Sequence, residues 1–311
     1  MQLRRILMPT DFSTSADAAL GEALFFARRS RAELHLLHVI EWLQPRPSSE
    51  MDLIEMDEVF ERLGEVAAAE TRRLLERVPT KQLEIRESLR RGISAAAEIV
   101  AYAEAESIDL IVIGTHGRRG VRRFLLGSVA EEVARTAACP VLTLPERGDL
   151  TEDLEIERIV VPFDYSDDAC ASLRTAISLA RSFNGRIDLV HAILPPTVAG
   201  ASVPMPAVVP TTLARTQELA LQKVASEVTT PEVTVDAHLL VGPVPSSITS
   251  YAEEVQANLI VMASHGLSGY HRFLLGSVTE RVVRSASCPV LVCRPHLESG
   301  KVADGNTGQG R

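Results

Sequence analysis

The chain carries one domain-sized pattern twice, and this repeat limits its possible folds more than any other feature. Residues 114–145 and 263–294 align without a gap, and 18 of their 32 positions are identical. Shorter matches precede them: 6–13 with 159–166, 33–40 with 186–193, and 90–114 with 240–263. A chain of 311 residues has room for about two ordinary domains. The repeat therefore predicts two copies of one domain.

We expect a short linker between the two copies. The stretch ERGDLTEDLEI at 146–156 is charged and contains a glycine, which is typical of a surface connection. The sequence thus predicts a first domain at 1–146, a linker at 147–156, a second domain at 157–295 and a flexible tail at 296–311. The two domains are called the first and second unit below.

Within each unit, short β-branched apolar runs alternate with helical patterns, which indicates an α/β fold. Runs such as DLIVIG and NLIVMA are apolar on both faces, which favours parallel strands covered by helices. We predict two doubly wound domains, each with a five-stranded parallel sheet and helices on both faces. Strands are expected near 4–9, 33–40, 82–89, 109–114 and 140–144, and near 158–163, 186–193, 232–240, 258–263 and 289–293; first-unit helices are expected near 14–30, 55–77, 93–106 and 128–137.

The composition argues against several classes of partner. A net charge of −9 disfavours nucleic acid, because phosphate backbones are bound by clustered positive charge. No apolar run reaches the roughly 18–20 residues of a membrane span. The N-terminal MQLRRILMPTDFS meets a turn too early for a signal peptide. The four cysteines lack metal-ligand spacing, so we expect reduced thiols in a cytoplasmic protein, with Cys139 and Cys288 as small apolar residues.

Two loops of each unit are expected to line one crevice. In open α/β sheets, ligands bind beyond the carboxyl ends of the strands, where the strand order reverses. Pro9-Thr10-Asp11 leaves the first strand, and Gly114-Thr115-His116-Gly117 leaves the fourth. The second unit repeats both segments, as Pro162-Phe163-Asp164 and Ala263-Ser264-His265-Gly266.

The fourth loop, GTHGRRGVRRFLLGS at 114–128, ends where a helix is expected to begin. Ser128 with Glu131, and Ser277 with Glu280, fit the Ser-x-x-Glu capping box, so one interpretation is that these serines only cap their helices. The other is that free N–H groups and the helix dipole attract an anion there, with Gly127 allowing close approach. Four arginines add positive charge, and the first of them is a candidate ligand: Arg118, Arg119, Arg122 and Arg123.

The spacing Gly114, two residues, Gly117, nine residues, Gly127-Ser128 resembles the nucleotide-binding signature of the universal stress protein family. The segments PTDFS, HV at the end of the second strand and CPVL are similar to that family too. The resemblance covers residues 3–145 and 157–294. It implies strand order 3-2-1-4-5 in each unit, with ATP held across the first and fourth strands and Mg²⁺ bridging its phosphates.

The resemblance also implies which residues hold the nucleotide. Asp11 and the main chain of Pro9 and Thr10 would face adenosine, and Val39 would meet adenine through its main chain. The residues implied around the ribose and phosphates are Ile113, Gly114, Gly117, Gly127, Ser128 and Val129. The matching positions in the second unit are Pro162, Phe163, Asp164, Ala192, Met262, Ala263, Gly266, Gly276, Ser277 and Val278.

We expect a nucleotide-dependent binding or signalling module in a stress response, ahead of a catalyst. ATP hydrolysis needs a positioned water and charge at the γ-phosphate, and the sequence shows no nucleophile-and-base pair. His116 and His265 are expected to order their loops, and His38 and His191 to be structural. The alternatives left open are a slow ATPase, an interaction scaffold without nucleotide, and an ATP pyrophosphatase or flavoprotein. The pyrophosphatase is disfavoured because Thr-Asp-Phe-Ser follows the first strand in place of its Ser-Gly-Gly-x-Asp-Ser loop.

The last expectations concern pairing and asymmetry. The apolar fifth strands, CPVLTL at 139–144 and CPVLVC at 288–293, are predicted to pair within the chain as a pseudo-dimer. A further homodimer and a protein partner stay open. Because Ala263 replaces Gly114 and the second loop has fewer arginines, we expect both sites to bind, the first more tightly. The Pro-bearing regions 41–52 and 194–210 are expected to be loops near the site.

Overall fold

The structure is a computed structural model that describes residues 3–42, 50–78, 80, 83–115, 126–145, 156–195, 211–266 and 275–294. Strands and helices alternate along both units, as the hydrophobic pattern predicts. The first unit contains β1 (Arg5–Pro9), α1 (Thr14–Ser30), β2 (Glu33–Glu41), α2 (Glu50–Glu76), β3 (Ile85–Gly92), α3 (Ala95–Ala105), β4 (Leu110–Gly114), α4 (Ser128–Thr136) and β5 (Val141–Leu144). The second contains β6 (Arg158–Pro162), α5 (Asp167–Phe183), β7 (Arg186–Ile193), α6 (Thr211–Val228), β8 (Val235–Val241), α7 (Val244–Glu254), β9 (Leu259–Ala263), α8 (Ser277–Ser285) and β10 (Val290–Cys293).

The described strands form one ten-stranded sheet in the order β3-β2-β1-β4-β5-β10-β9-β6-β7-β8. Each half has the order 3-2-1-4-5, and its strands are parallel, which confirms the predicted fold class. The halves meet where β5 pairs with β10 in an antiparallel register that places Leu142 opposite Leu291. The predicted pairing of the fifth strands is therefore confirmed within the chain.

Two apolar layers cover the sheet, and each contains residues of both units. One layer packs α1 and α5 against the sheet and includes Leu142 and Leu291, which are 1% and 2% exposed. In this layer Phe25 of α1 stacks on Phe183 of α5 with ring centroids 5.3 Å apart. The other layer lies under α3, α4, α7 and α8. The paired fifth strands thus join the cores of the two units.

Some predicted boundaries differ from the structure. The third strand was expected at 82–89 and is found three residues later, because its sequence IRESLRRG lies at the sheet edge, where few positions are buried and the apolar pattern is weak. Helix α2 begins at Glu50, so the end of the predicted loop 41–52 is helical. Of the predicted linker and tail, only Ile156 lies within the described residues, and these domain boundaries stay a prediction.

Each unit buries a polar side chain at the same place in its second strand. In the first unit, His35 is fully buried and its Nδ1 lies 2.9 Å from the hydroxyl of Tyr102. In the second unit, Asp188 is 2% exposed and accepts a hydrogen bond of 3.0 Å from Tyr251. The Nε of Arg158 lies 3.6 Å from the same carboxylate. The second unit therefore buries a charge where the first buries an imidazole.

No helix in the described ranges is long and apolar enough to cross a membrane.

Candidate nucleotide site

The carboxyl ends of two neighbouring strands lie side by side in each unit, those of β1 and β4 in the first and of β6 and β9 in the second. The space beyond these ends is called the cleft below. The chain leaves β1 for β2 on one side of the sheet, whereas β4 lies on its other side, so the strand order reverses here. This switch point is where open α/β sheets bind ligands. Both loops that the sequence analysis singled out leave these strands, so the fold brings them together.

The turn after the first strand of each unit is fixed by its own aspartate. Asp11 Oδ1 accepts a hydrogen bond of 3.1 Å from the main-chain N–H of Ser13, whose hydroxyl in turn caps α1. Asp164 Oδ1 accepts bonds from Ser166, 3.0 Å from the N–H and 2.6 Å from the hydroxyl. Each aspartate is thus held at the mouth of the cleft by a local turn.

The next residue of this turn has a left-handed backbone in both units, which the sequence analysis missed. Phe12 has φ of 59° and Tyr165 has φ of 67°. Such a conformation costs a non-glycine residue of the order of 1 kcal/mol or more, and it clusters at functional sites. Nothing in the sequence signals it, since an aromatic residue is not typical of the left-handed region.

Two histidines hold this turn in place. The Nδ1 atoms of His38 and His191 each lie 2.7 Å from a main-chain oxygen, of Thr10 and Phe163 respectively. Because a carbonyl oxygen only accepts, each Nδ1 must carry the proton. The Phe12 and Tyr165 rings pack against these imidazoles, with centroids 4.7 and 5.2 Å apart. The structural role predicted for the two histidines is confirmed.

The helices that follow the fourth strands begin at glycine, and the capping-box prediction is wrong. Gly127 is the N-cap of α4 and Gly276 that of α8, so Ser128 and Ser277 are the first helical residues. The reason is that the glycine carbonyls already accept the first helical bonds, from Glu131 and Glu280 at 2.9 Å. The glycine N–H groups bond back to the fourth-strand loops, 2.6 Å to Thr115 O and 2.8 Å to Ser264 O.

The first turns of α4 and α8 therefore have no side-chain cap from the described residues. By contrast, the hydroxyls of Ser13, Ser94 and Ser166 cap α1, α3 and α5. N–H groups at the start of a helix need a partner and carry the positive end of the helix dipole. In both units they lie at the switch point, which is the arrangement that binds an anion.

Neighbouring protein atoms leave no room for a side chain at Gly114, and its backbone dihedral angles do not require a glycine. Among the described glycines, Gly242 is the one with a positive φ. A Cβ on Gly114 would lie 2.7 Å from the carbonyl oxygen of Ser15 in α1. This contact belongs to the first unit, and the expectation that Ala263 contributes to weaker binding in the second stays a prediction. Ala263 itself is 9% exposed.

Gly114→Ala is expected to lower the free energy of unfolding by about 1–3 kcal/mol in the absence of nucleotide, because the added methyl overpacks against Ser15. If Gly114 served only a ligand, the same change would leave stability unchanged or raise it, since alanine restricts the unfolded chain. Urea unfolding of the nucleotide-free protein measures the sign. A stability equal to or above that of the wild type contradicts the assignment.

Several predicted site residues are apolar side chains that point into the core. Ile113 is 6% exposed and Met262 is 4% exposed. Val39, Val129 and Val278 are partly buried against the same apolar layer. These residues can meet a ligand chiefly through their main chain, whereas Ala192, Ser128 and Ser277 lie nearer the surface.

In the second unit, the two loops of the cleft touch each other. Gly266 lies so close to Asp164 that a Cβ on the glycine would collide with the carboxylate. His265 Nδ1 lies 3.0 Å from the hydroxyl of Ser264. The corresponding His116, Gly117 and Arg118, and the other three arginines of that loop, lie outside the described residues.

Residues 2–145 and 155–294 each match the universal stress protein family. The chain belongs to this family. It is 28% identical over 308 residues to a universal stress protein of Mycolicibacterium smegmatis, over 93% of this chain and 97% of that one. It is 32% identical over 139 residues to a universal stress protein of Methanocaldococcus jannaschii, over 44% of this chain and 82% of the relative.

A solved universal stress protein from Archaeoglobus fulgidus has the same fold. It superposes with a TM-score of 0.61 at 23% identity, over 93% of this chain and 96% of that one. Because this match spans both units, it supports the tandem arrangement of two universal stress protein folds.

Cys139, which is partly buried, and Cys288 and Cys293, which are buried, act as small apolar residues. Desolvation by burial raises the pKa of the Cys139 and Cys293 thiols to about 12, so neither is a thiolate near neutral pH. Cys288 is 3% exposed. Reactive cysteines require an accessible thiolate, which these sites do not provide.

Proposed function

We propose that this universal stress protein binds an adenine nucleotide, ATP in the first instance, and acts as a nucleotide-dependent module in a stress response. The observation that carries the proposal is the pair of glycine-started helices, α4 and α8, whose first turns lie uncapped by described side chains at the switch point. Helix N-termini at this place in α/β sheets bind phosphate groups. Main-chain N–H groups at the start of the helix would bind the phosphates, a role that a lysine shares in a P-loop.

The placement of the nucleotide follows from the two loops of each cleft. We assign adenosine to Pro9, Thr10, Asp11 and the main chain of Val39, because the turn there is fixed by hydrogen bonds to Asp11 and Thr10. The ribose and phosphates would lie along Ile113, Gly114, Gly117, Arg118, Gly127, Ser128 and Val129. In the second unit the equivalent positions are Pro162, Phe163, Asp164, Ala192, Met262, Ala263, Gly266, Gly276, Ser277 and Val278.

Mg²⁺ would enter this site bound to the phosphates of the nucleotide. The described residues contain no group of three side chains able to hold a metal ion by themselves. Mg²⁺ usually keeps several waters and takes one or two carboxylates together with substrate phosphates. Asp11 and Asp164 are the carboxylates that would serve it, and the ion would neutralise phosphate charge.

We assign no catalytic residue. Hydrolysis of ATP needs a group that orients water and charge that stabilises the γ-phosphate. His38 and His191 hold the turns through their Nδ1 atoms, and His265 bonds to Ser264. These contacts support structural roles, so we propose a binding module, with slow hydrolysis as its accessory activity at most. A nucleotide-independent scaffold is the second candidate, favoured by the shared core of the two units.

We further propose that both sites bind, and that the first binds more tightly. The argument that carries this proposal is charge. The loop after β4 contains Arg118, Arg119, Arg122 and Arg123, whereas the loop after β9 contains Arg272 as its one arginine. Clustered positive charge attracts a polyanion. A cytoplasmic location and a further homodimer stay predictions.

Calorimetry on nucleotide-free protein tests the proposal. The first step is to denature the purified protein and identify any nucleotide that is released, because a nucleotide that copurifies would occupy the sites and prevent their titration. ATP is then expected to bind at two sites per chain, with the tighter one filled first. Trp42, the one tryptophan of the chain, follows β2 directly, so its fluorescence should report the first site. Absence of binding by ATP, ADP and AMP would leave the scaffold as the function.

A further inference from the structure

The ten-stranded sheet ends at β3 on one side and at β8 on the other, and these two edge strands differ in charge. Strand β3 reads IRESLRRG and has four charged side chains, all exposed: Arg86, Glu87, Arg90 and Arg91. Strand β8 reads VDAHLLV, and Asp236 is its one residue among Asp, Glu, Lys and Arg. Charged side chains on an edge strand oppose pairing with a further strand, so β3 is protected and β8 is not.

The arginines of β3 are fixed beside its edge by neighbouring carboxylates. Arg86 pairs with Glu106 at 2.7 Å, and Arg91 pairs with Asp57 at 3.0 Å. Successive side chains of a strand alternate between the two faces of a sheet, so these two ion pairs lie on opposite faces. A strand that paired with β3 would therefore meet charge on both faces.

The main-chain groups of β8 bond to its neighbour β7 at every second residue. The N–H of Ile187 donates to the carbonyl oxygen of Thr234 at 2.9 Å, and the N–H of Gly242 donates to that of Ile193 at 3.0 Å. Because parallel strands bond through alternate residues, the even-numbered residues of β8 face β7. The odd-numbered residues therefore direct their N–H and C=O groups away from the sheet.

The open part of this edge is apolar. Its first outward residue is covered, since the N–H of Val235 donates to the hydroxyl of Thr229 at 3.3 Å. Ala237, Leu239 and Val241 follow, and they pair with no described strand on their outer side. Val241 is 55% exposed. An apolar edge with free main-chain groups is a site where another strand can add to the sheet.

We propose that β8 is a dimerisation edge, which pairs antiparallel with β8 of a second copy of this chain around a two-fold axis at Leu239. In this register Leu239 faces Leu239 of the second copy, and Ala237 faces Val241 on either side of the axis. Each of these pairs joins two outward residues and exchanges two main-chain hydrogen bonds. The two ten-stranded sheets would then continue as one.

The junction inside the chain is the precedent for this pairing. Leu142 of β5 lies opposite Leu291 of β10, and the two leucines are equivalent positions of the repeat. That junction is therefore also an antiparallel pair of equivalent apolar strands, centred on two leucines.

Charge favours a second β8 as the occupant. In the proposed register Asp236 lies beyond the three pairs, opposite Gly242, so no like charges face each other across the contact. Strand β3 of a second copy would instead bring its ion-paired arginines against the apolar edge.

The test measures the mass of the nucleotide-free protein by light scattering across a concentration series. The single chain has a mass of 33.8 kDa, and the wild type is expected to approach twice this mass as its concentration rises. Leu239→Lys should raise the dissociation constant of the dimer by at least about 100-fold, because two ammonium groups meet at the axis.

The repeat supplies a matched control, Leu89→Lys. Leu89 lies opposite His38 in the sheet as Leu239 lies opposite His191, so the two leucines are equivalent positions of β3 and β8. Leu89 is 45% exposed. Its replacement should change the dissociation constant by less than about twofold, as expected of a surface position outside the contact.

A charge exchange separates loss of pairing from loss of folding. Leu239→Glu is also expected to be a monomer, and mixing it with Leu239→Lys should restore a dimer, because opposite charges then meet at the axis. Any of four results overturns the inference: a wild type of single-chain mass at every concentration, a Leu239→Lys dimer as stable as the wild type, a mixture that stays monomeric, or dissociation by Leu89→Lys. None of these results depends on nucleotide binding, since no nucleotide is present.

Discussion

Arg158→Ala is expected to lower the free energy of unfolding by about 3–5 kcal/mol, because it leaves the buried carboxylate of Asp188 without its nearest cation. The Asp188 side chain is 3% exposed and the Arg158 side chain 23%, so the carboxylate lies deeper in the protein than its partner. Tyr251 still donates to the carboxylate, but a neutral hydroxyl does not balance its charge, and His238 Nε2 lies 3.9 Å away, too far for a hydrogen bond. Urea unfolding at neutral pH measures the change.

The repeat supplies a matched control, Arg5→Ala. Arg5 stands at the same position in β1 and donates to the carbonyl of Glu106 at 2.7 Å, as Arg158 donates to that of Val255 at 3.0 Å. Its carboxylate partner, Glu33, is 24% exposed and 3.7 Å away. An exposed pair contributes about 0–1 kcal/mol, so Arg5→Ala should cost far less. Equal losses from the two variants would show that the buried charge is not the cause.

Gly127→Val is expected to weaken ATP binding to the first unit by at least about 100-fold, which corresponds to about 2.7 kcal/mol. The branched side chain would stand at the start of α4, where phosphate must approach the N–H groups. Gly127 has φ of −62° and ψ of 138°, angles that valine adopts, so the fold should persist. Valine is a poorer N-cap than glycine, and a stability loss of about 1 kcal/mol is expected.

Ser128→Ala is the control for this variant. Because Ser128 follows the N-cap, its replacement should spare the helix and weaken ATP binding by less than about tenfold. Calorimetry with ATP and a thermal melt of each variant separate binding from folding. ATP binding to Gly127→Val with wild-type affinity would remove α4 from the proposed site. Gly276→Val is a less clean test, since a Cβ there lies 3.0 Å from Ser264 O.

The sequence predicts the sheet well where burial is complete. The runs at 109–114 and 258–263 are found as β4 and β9, because strands covered on both faces must be apolar throughout. The pairing of β5 with β10 was also predictable, since two short apolar edge strands in one chain cover each other. The bounds of β3 were predicted wrongly because this edge strand is partly exposed to solvent, so its apolar pattern is weak.

The site was less predictable from sequence than the sheet. The capping-box prediction at Ser128 is wrong because the N-cap position depends on a tertiary contact. Gly127 donates its N–H to the carbonyl oxygen of Thr115, and this contact between loops sets where the helix begins. The left-handed turns at Phe12 and Tyr165 depend on His38 and His191, which come from another strand. The role of Gly114 depends on its distance from α1. Each is a tertiary contact that local patterns do not encode.

The antiparallel pairing of β5 with β10 decides where the two clefts face. All strands of one unit run in the same direction, and those of the other unit run against them. The carboxyl ends of β1 and β4 therefore point in one direction along the strand axes, and those of β6 and β9 point in the opposite direction. A molecule that covers one cleft therefore leaves the other uncovered, because the two clefts of a single chain face in opposite directions.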